Sequence, residues 1–110
     1  MARIAAKLSS FTKTEISNLF AQASALLRDS NFTILYAPKI STFGRILIVA
    51  PRRIGTAPQR NRLKRRIRAL FYEEKLFEKG HDFAIILKKN AKNLSFQELK
   101  KKIMDAISKL

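Results

Sequence analysis

With 110 residues, the chain has the length of one compact domain, and a hydrophobic content of 46% excludes wholesale disorder. A net charge of +15 and a pI of about 10.9 point to a polyanionic partner: nucleic acid, anionic membrane or acidic protein. Cysteine is absent, which excludes disulfides, thiolate metal sites and a cysteine nucleophile and fits a reducing, cytoplasmic setting.

The opening run MARIAAKLSSF is broken by two cations and is too weak for a signal peptide. No stretch approaches the ~20 apolar residues of a membrane span. Without repeats, low-complexity tracts or long linkers, residues 1–110 read as a single domain. Thr12 with Glu15 opens a first helix, KTEISNLFAQASALL, whose Ile16, Leu19, Phe20, Ala23 and Leu27 fall on one face. Strand-like runs follow at FTILYA (32–37) and GRILIVA (44–50), the second almost wholly apolar, as in a strand covered on both faces. Thr56 with Gln59 opens a second helix, Pro58 being tolerable in its first turn, and Gly80 marks a natural stop beyond it. A third strand, DFAIILK (82–88), precedes a last helix opened by Ser95 and Glu98, with Phe96, Leu99, Ile103, Ala106, Ile107 and Leu110 as its stripe. The expected class is α+β: a two-layer sandwich of three helices on a small sheet, the middle helix crossing over between strands.

The middle helix carries the unusual chemistry. Six of the nine residues from Arg60 to Arg68 are cationic. Leu63, Ile67, Leu70 and Phe71 cluster on one side of the helical wheel, while Asn61, Lys64, Arg65 and Arg68 share the opposite side. Arg62 and Arg66 flank one margin of the apolar face. Solvated helix faces usually interleave signs, yet here Arg60/Lys64, Arg62/Arg66, Lys64/Arg68, Arg62/Arg65 and Arg65/Arg68 are all like-charge neighbours. At ~0.2–0.5 kcal/mol per pair, the self-repulsion amounts to roughly 1–2.5 kcal/mol. No carboxylate lies between Asp29 and Glu73, whereas Lys39, Arg45, Arg52 and Arg53 add further cations. A helix of this kind suits a polyanion-bound state, and Arg forks suit bidentate phosphate contacts. RNA is favoured over a membrane, because the apolar face is accounted for by the sheet, and over DNA, because no helix-turn-helix pair is present.

Protein-borne catalysis finds little support. Glu15, Asp29, Glu73, Glu74, Glu78, Asp82, Glu98 and Asp105 form no paired-carboxylate motif for a two-metal site. The one histidine, His81, follows Gly80 at a strand entrance and reads as a turn residue.

RRIGTAPQRNRLKRRIRALF resembles the signature of the bacterial ribonuclease P protein subunit: a basic dipeptide, an Ile-Gly turn, then Arg-Asn-Arg, a hydrophobic residue, Lys-Arg and a further Arg. FTKTEISNLF, FTILYA and HDFAIILKKNAKNLSFQELKKKI resemble the family's first helix, first core strand and last strand with final helix, so the likeness covers essentially the whole chain. The resemblance implies a mixed sheet like that of a ribosomal protein's second domain. It also implies the protein cofactor of a ribozyme that removes the 5′ leader from precursor tRNA, with catalysis borne by RNA and Mg²⁺ held mainly by RNA and substrate. Carried over by position, Arg52, Arg53, Arg60, Asn61, Arg62, Lys64, Arg65 and Arg68 contact the catalytic RNA. Ile16, Phe20 and Tyr36 line a cleft between the first helix and the sheet that holds the single-stranded leader. Two departures stand out: Ile16 where the family usually has an aromatic, and Pro51 where it usually has a small polar residue. A ribosomal or nucleoid RNA-binding protein is the alternative, and neither membrane nor DNA partners are expected.

Overall fold

The computed structural model describes residues 7–110; the first six residues of the opening run lie outside the described residues. Helices α1 (Lys13–Gln22), α2 (Ala57–Glu73) and α3 (Phe96–Ile107) each begin with the expected reciprocal cap. Glu15 N–H donates to Thr12 Oγ1 at 3.1 Å and Thr12 N–H to Glu15 Oε1 at 2.9 Å; Thr56/Gln59 and Ser95/Glu98 repeat the pattern. Each box satisfies two N–H groups that have no partner within the helix. Gly55 makes room for one of them, since a Cβ there would meet Gln59 Oε1 at 2.5 Å.

Four strands form one mixed sheet, β1 (Ser24–Arg28), β2 (Phe32–Pro38), β3 (Ile46–Val49) and β4 (His81–Leu87), in the order β1-β2-β4-β3. β1/β2 and β2/β4 are antiparallel, and β3 runs parallel to β4, so α2 is the crossover that the apolar runs require. β4 is central and buried on nearly every position, whereas edge strand β3 buries Ile46 fully and leaves the rest half-covered.

Two expectations need correction. The first helix stops at Gln22 rather than reaching Leu27; Ser24–Arg28 is an edge strand instead. Asp29 Oδ1 accepts the N–H groups of Asn31 (2.8 Å) and Phe32 (3.1 Å), closing a tight turn that folds this segment back along β2. Strand pairing thereby overrides a helical spacing. The second correction is at the end of α2. Lys75, with φ 53°, takes the left-handed position after the helix, and a short 3-10 turn (Leu76–Glu78) follows before Gly80, φ 82°, introduces β4.

The two sheet faces are unequal. Phe32, Ile34, Ile46, Phe83, Ile85 and Leu87 face α2 and α3 and join Leu63, Ile67, Leu70, Phe71, Leu99 and Ile103 in the main core. Among the described residues the other face is covered by α1 and the segment just before it, through Leu19 on Ala37 and Ala84 with Phe11, Leu35 and Leu47 around them.

Candidate RNA interface

α2 is held by its buried Leu63, Ile67, Leu70 and Phe71, as its wheel requires. Asn61, Arg62 and Arg65 stand exposed, and Arg60, Lys64, Arg66 and Arg68 are half-buried along the flanks. None of these cations lies within ion-pair distance of a carboxylate among the described residues. Arg52 and Arg53 sit in a 3-10 turn (Arg52–Ile54) that Pro51 initiates and buried Ile54 pins to the core, so both guanidinium groups project outward just ahead of α2. The eight basic-stripe residues picked out by the sequence are therefore brought together on α2 and the turn preceding it.

A further turn joins them. β3 and β4 are parallel, so their C-terminal ends deliver the 52–54 turn and a second 3-10 turn, Lys89–Asn93, to the same edge, where the two turns pack on each other. Lys92, on that second turn, is a cation that no local pattern singles out.

The expected leader cleft is only partly assembled. α1 crosses the sheet with Leu19 at its centre, and Glu15, Asn18, Leu19 and Gln22 line a groove toward Ala37, Pro38, Ile40 and Asp82. On a 100° wheel, Ile16 and Phe20 fall on the opposite flank. That flank faces a cross-strand row of Arg28, Thr33, Ile86 and Val49, which α1 leaves open. Phe20 is 40% exposed and Ile16 half-buried. Tyr36 is the exception. It pairs with Phe83 on β4, packs on the main core and meets His81 edge-on with centroids 5.5 Å apart. It therefore lies on the sheet face opposite Phe20, and the structure does not bring the two into one cleft. The α1-facing side of β2 carries Thr33, Leu35 and Ala37 instead. Strand alternation, applied together with the side α1 occupies, is the signal that separates these sets.

Arg45 also departs from expectation. Far from joining the free cations, it is 6% exposed. Nη1 and Nη2 each donate to a Glu15 carboxylate oxygen at 3.2 Å, Nη1 donates to Ser10 O at 2.6 Å, and the guanidinium lies 4.3 Å from the centre of the Phe11 ring. Arg45 N–H donates to Asp82 Oδ1 at 2.9 Å. The Arg45 hydrogen bonds hold the Glu15 carboxyl below its ordinary value, while burial pushes Asp82 up. This node fastens the start of α1 to the sheet and so fixes the wall of the cleft.

His81 begins β4 with Nδ1 3.1 Å from Lys79 O, a strand-entry contact. Among the described residues no three His, Asp or Glu side chains converge as metal ligands. No described helix is long and apolar enough to cross a membrane.

Comparison with known proteins agrees with the fold. The Ribonuclease P family model matches residues 7–110. The chain is 34% identical over 103 residues to the ribonuclease P protein component of Petrotoga mobilis, covering 89% of this chain and 86% of that one, and 32% identical over 101 residues to that of Phytoplasma australiense, with the same coverage. The RNase P protein of Thermotoga maritima superposes with a TM-score of 0.78 at 22% identity, over 93% of this chain and 96% of that one. That of Staphylococcus aureus gives 0.77 at 16% identity, over 92% and 93%. The α+β arrangement is theirs, and the relatives support a ribonuclease P subunit rather than a ribosomal or nucleoid protein. The chain belongs to the ribonuclease P protein family, whose work is tRNA processing.

Proposed function

We propose that this protein binds a folded catalytic RNA through α2 and the 52–54 turn, and the 5′ leader of precursor tRNA along the open row beside α1. The carrying observation is the stripe itself: cations anchored by an apolar flank, with no described carboxylate to neutralise them. Phosphates arriving at Arg60, Arg62, Lys64, Arg65 and Arg68 replace like-charge repulsion with charge-assisted hydrogen bonds. Arg52 and Arg53 extend that surface, and Asn61 offers neutral donors and an acceptor to ribose or base edges. In the cleft, Phe20 provides a ring on which a base stacks at ~1–3 kcal/mol, Ile86 and Val49 form an apolar floor beside the Thr33 hydroxyl, and Arg28 meets the backbone. Tyr36, on the other sheet face, is left out of this leader path.

The protein's part is binding and orientation. In this reading Mg²⁺ is held mainly by the RNA and the substrate, where it would supply the cleavage chemistry, and the complex works in the cytoplasm. By neutralising phosphates on both RNAs the protein lowers their mutual repulsion and improves substrate affinity. Reconstitution with a bacterial ribonuclease P RNA and precursor tRNA at low Mg²⁺ tests this. Stimulated 5′ cleavage is expected, with none by the protein alone; failure to stimulate overturns the reading.

A further inference from the structure

The β2–β3 connection and the segment before α1 enclose a cavity of about 590 Å³ that neither RNA surface described above uses. Small-molecule sites occupy ~300–1,000 Å³, so this one is of ligand size. Phe11, anchored in the small cluster under α1, and Phe43, anchored in the main core, give each wall a half-buried ring. Ser10, Ser41 and Thr42 bring hydroxyls to the same space. Ser10 and Thr42 engage only their backbone carbonyls, with Arg45 Nη1 at 2.6 Å and Lys39 Nζ at 3.1 Å, so both hydroxyls stay available among the described residues. Charge in the cavity is nearly cancelled. Arg45 and Glu15 both line it and neutralise each other at 3.2 Å, which leaves Lys7 as its one cation without a carboxylate partner among the described residues.

A phosphate chain entering here meets one free cation and the Glu15 carboxylate, unlike the stripe on α2. A purely apolar ligand leaves the hydroxyls unmatched. A flat, uncharged ring system suits both walls, because aromatic side chains stack on its face and each hydroxyl can donate to or accept from its edge. A nucleobase with its ribose has that chemistry. We propose that this cavity is a nucleoside-binding site and that, resting on the function proposed above, its occupant is an unpaired base of the bound RNA. β3 lies between Arg45 and the 52–54 turn, and its four residues span about 13 Å at ~3.3 Å each. A base seated in the cavity therefore fixes the RNA at a second point, away from the arginines. The protein then selects an RNA whose fold presents an unpaired base at that spacing from its phosphates.

Amide NMR of the isotope-labelled full chain, titrated with adenosine, guanosine, cytidine and uridine, reads the cavity without RNA. Saturable shifts are expected at Phe11, Thr12, Thr42 and Phe43 with at least one nucleoside at millimolar concentration, and none from Arg62 to Arg68. Ser41→Leu places a larger side chain in the cavity and should weaken that binding about tenfold. Thr42→Val removes one hydroxyl at nearly constant shape and should weaken it about threefold. Thr42 is exposed, so Thr42→Val keeps the test valid even if Ser41→Leu folds poorly. No shifts with any nucleoside, shifts confined to Phe20 and its neighbours, or a full response in both variants overturns the site. The RNA arm probes base reactivity in a bacterial ribonuclease P RNA and in precursor tRNA, each bound to parent or variant protein. At least one unpaired base protected by the parent is expected to regain reactivity in the variants. Nucleoside binding with identical base reactivities in parent and variant complexes assigns the cavity to free nucleosides and overturns the RNA half. If neither RNA binds the parent protein, the proposed function fails while the nucleoside response stands.

Discussion

α2 and α3 both carry runs of positive charge, and the molecule treats them oppositely. On α3, Lys100 meets Glu74 at 3.5 Å, Lys101 meets Asp105 at 3.9 Å and Lys102 meets Asp29 at 2.8 Å. On α2, none of the cations from Arg60 to Arg68 has such a partner among the described residues. A run of lysines neutralised within the chain is a solvated surface that also helps tie helix to sheet. A run of arginines left without counter-charge stores repulsion that an external polyanion relieves. Positive charge alone therefore does not mark an RNA surface; the missing internal partner does.

Within α2 itself the contrast between its two sides is expected to produce the largest effect. Ile67→Ala, at a site 1% exposed, should cost about 2–5 kcal/mol, whereas Arg65→Ala should stay within ~0.5 kcal/mol while weakening RNA binding. Denaturant unfolding of both variants, with RNA affinity measured alongside, checks this; equal stability losses would mean the faces are misassigned. Arg45 sharpens the same point with an arginine of the other kind. Arg45→Ala removes the side-chain bonds to Glu15 and Ser10 O and the Phe11 contact, while its backbone N–H still donates to Asp82 Oδ1, and should destabilise the domain and loosen α1 with little change at α2.

Salt should separate the two helices next. If five phosphates are contacted, the log–log slope is near −4, roughly a 200-fold loss of affinity between 50 and 200 mM salt. The slope should be retained when Lys100 and Lys101 are replaced by Gln; a flat response in the unsubstituted protein would contradict the stripe. Lys102→Gln, which removes a half-exposed pair, should cost no more than about 1 kcal/mol.

The smallest expected effect is in the pH dependence of stability. Asp29, desolvated by burial yet held by Lys102 and the Phe32 and Asn31 N–H groups, and Glu15, held by Arg45, both have lowered carboxyls. Their contribution is complete above the ordinary values of 4.5 for Glu15 and 3.8 for Asp29 and is lost as pH falls below them. Asp82 is raised, so its contribution has the opposite sign: present in acid and lost as pH rises through its elevated value. Acid titration followed by circular dichroism should therefore show Glu15→Gln less sensitive to falling pH than the parent, and Asp82→Asn more sensitive.

Local patterns in the sequence settled the three reciprocal helix caps, the apolar stripes of α2 and α3, three of the four strands and the composition of the basic helix. Each depends on residues within one or two turns of each other, where spacing alone fixes geometry. Only the tertiary structure decided that 24–28 is a strand, because β2 offered an edge; that Tyr36 and Phe20 lie on opposite sides of the sheet, because α1 takes one face; and that Arg45 is neutralised, because Glu15 lies 30 positions away in sequence yet 3.2 Å away in space. Lys92 reached the arginines of α2 by the same route, through two parallel strands ending at one edge. Charge can be counted along a chain, but whether it is compensated depends on distances that only folding sets.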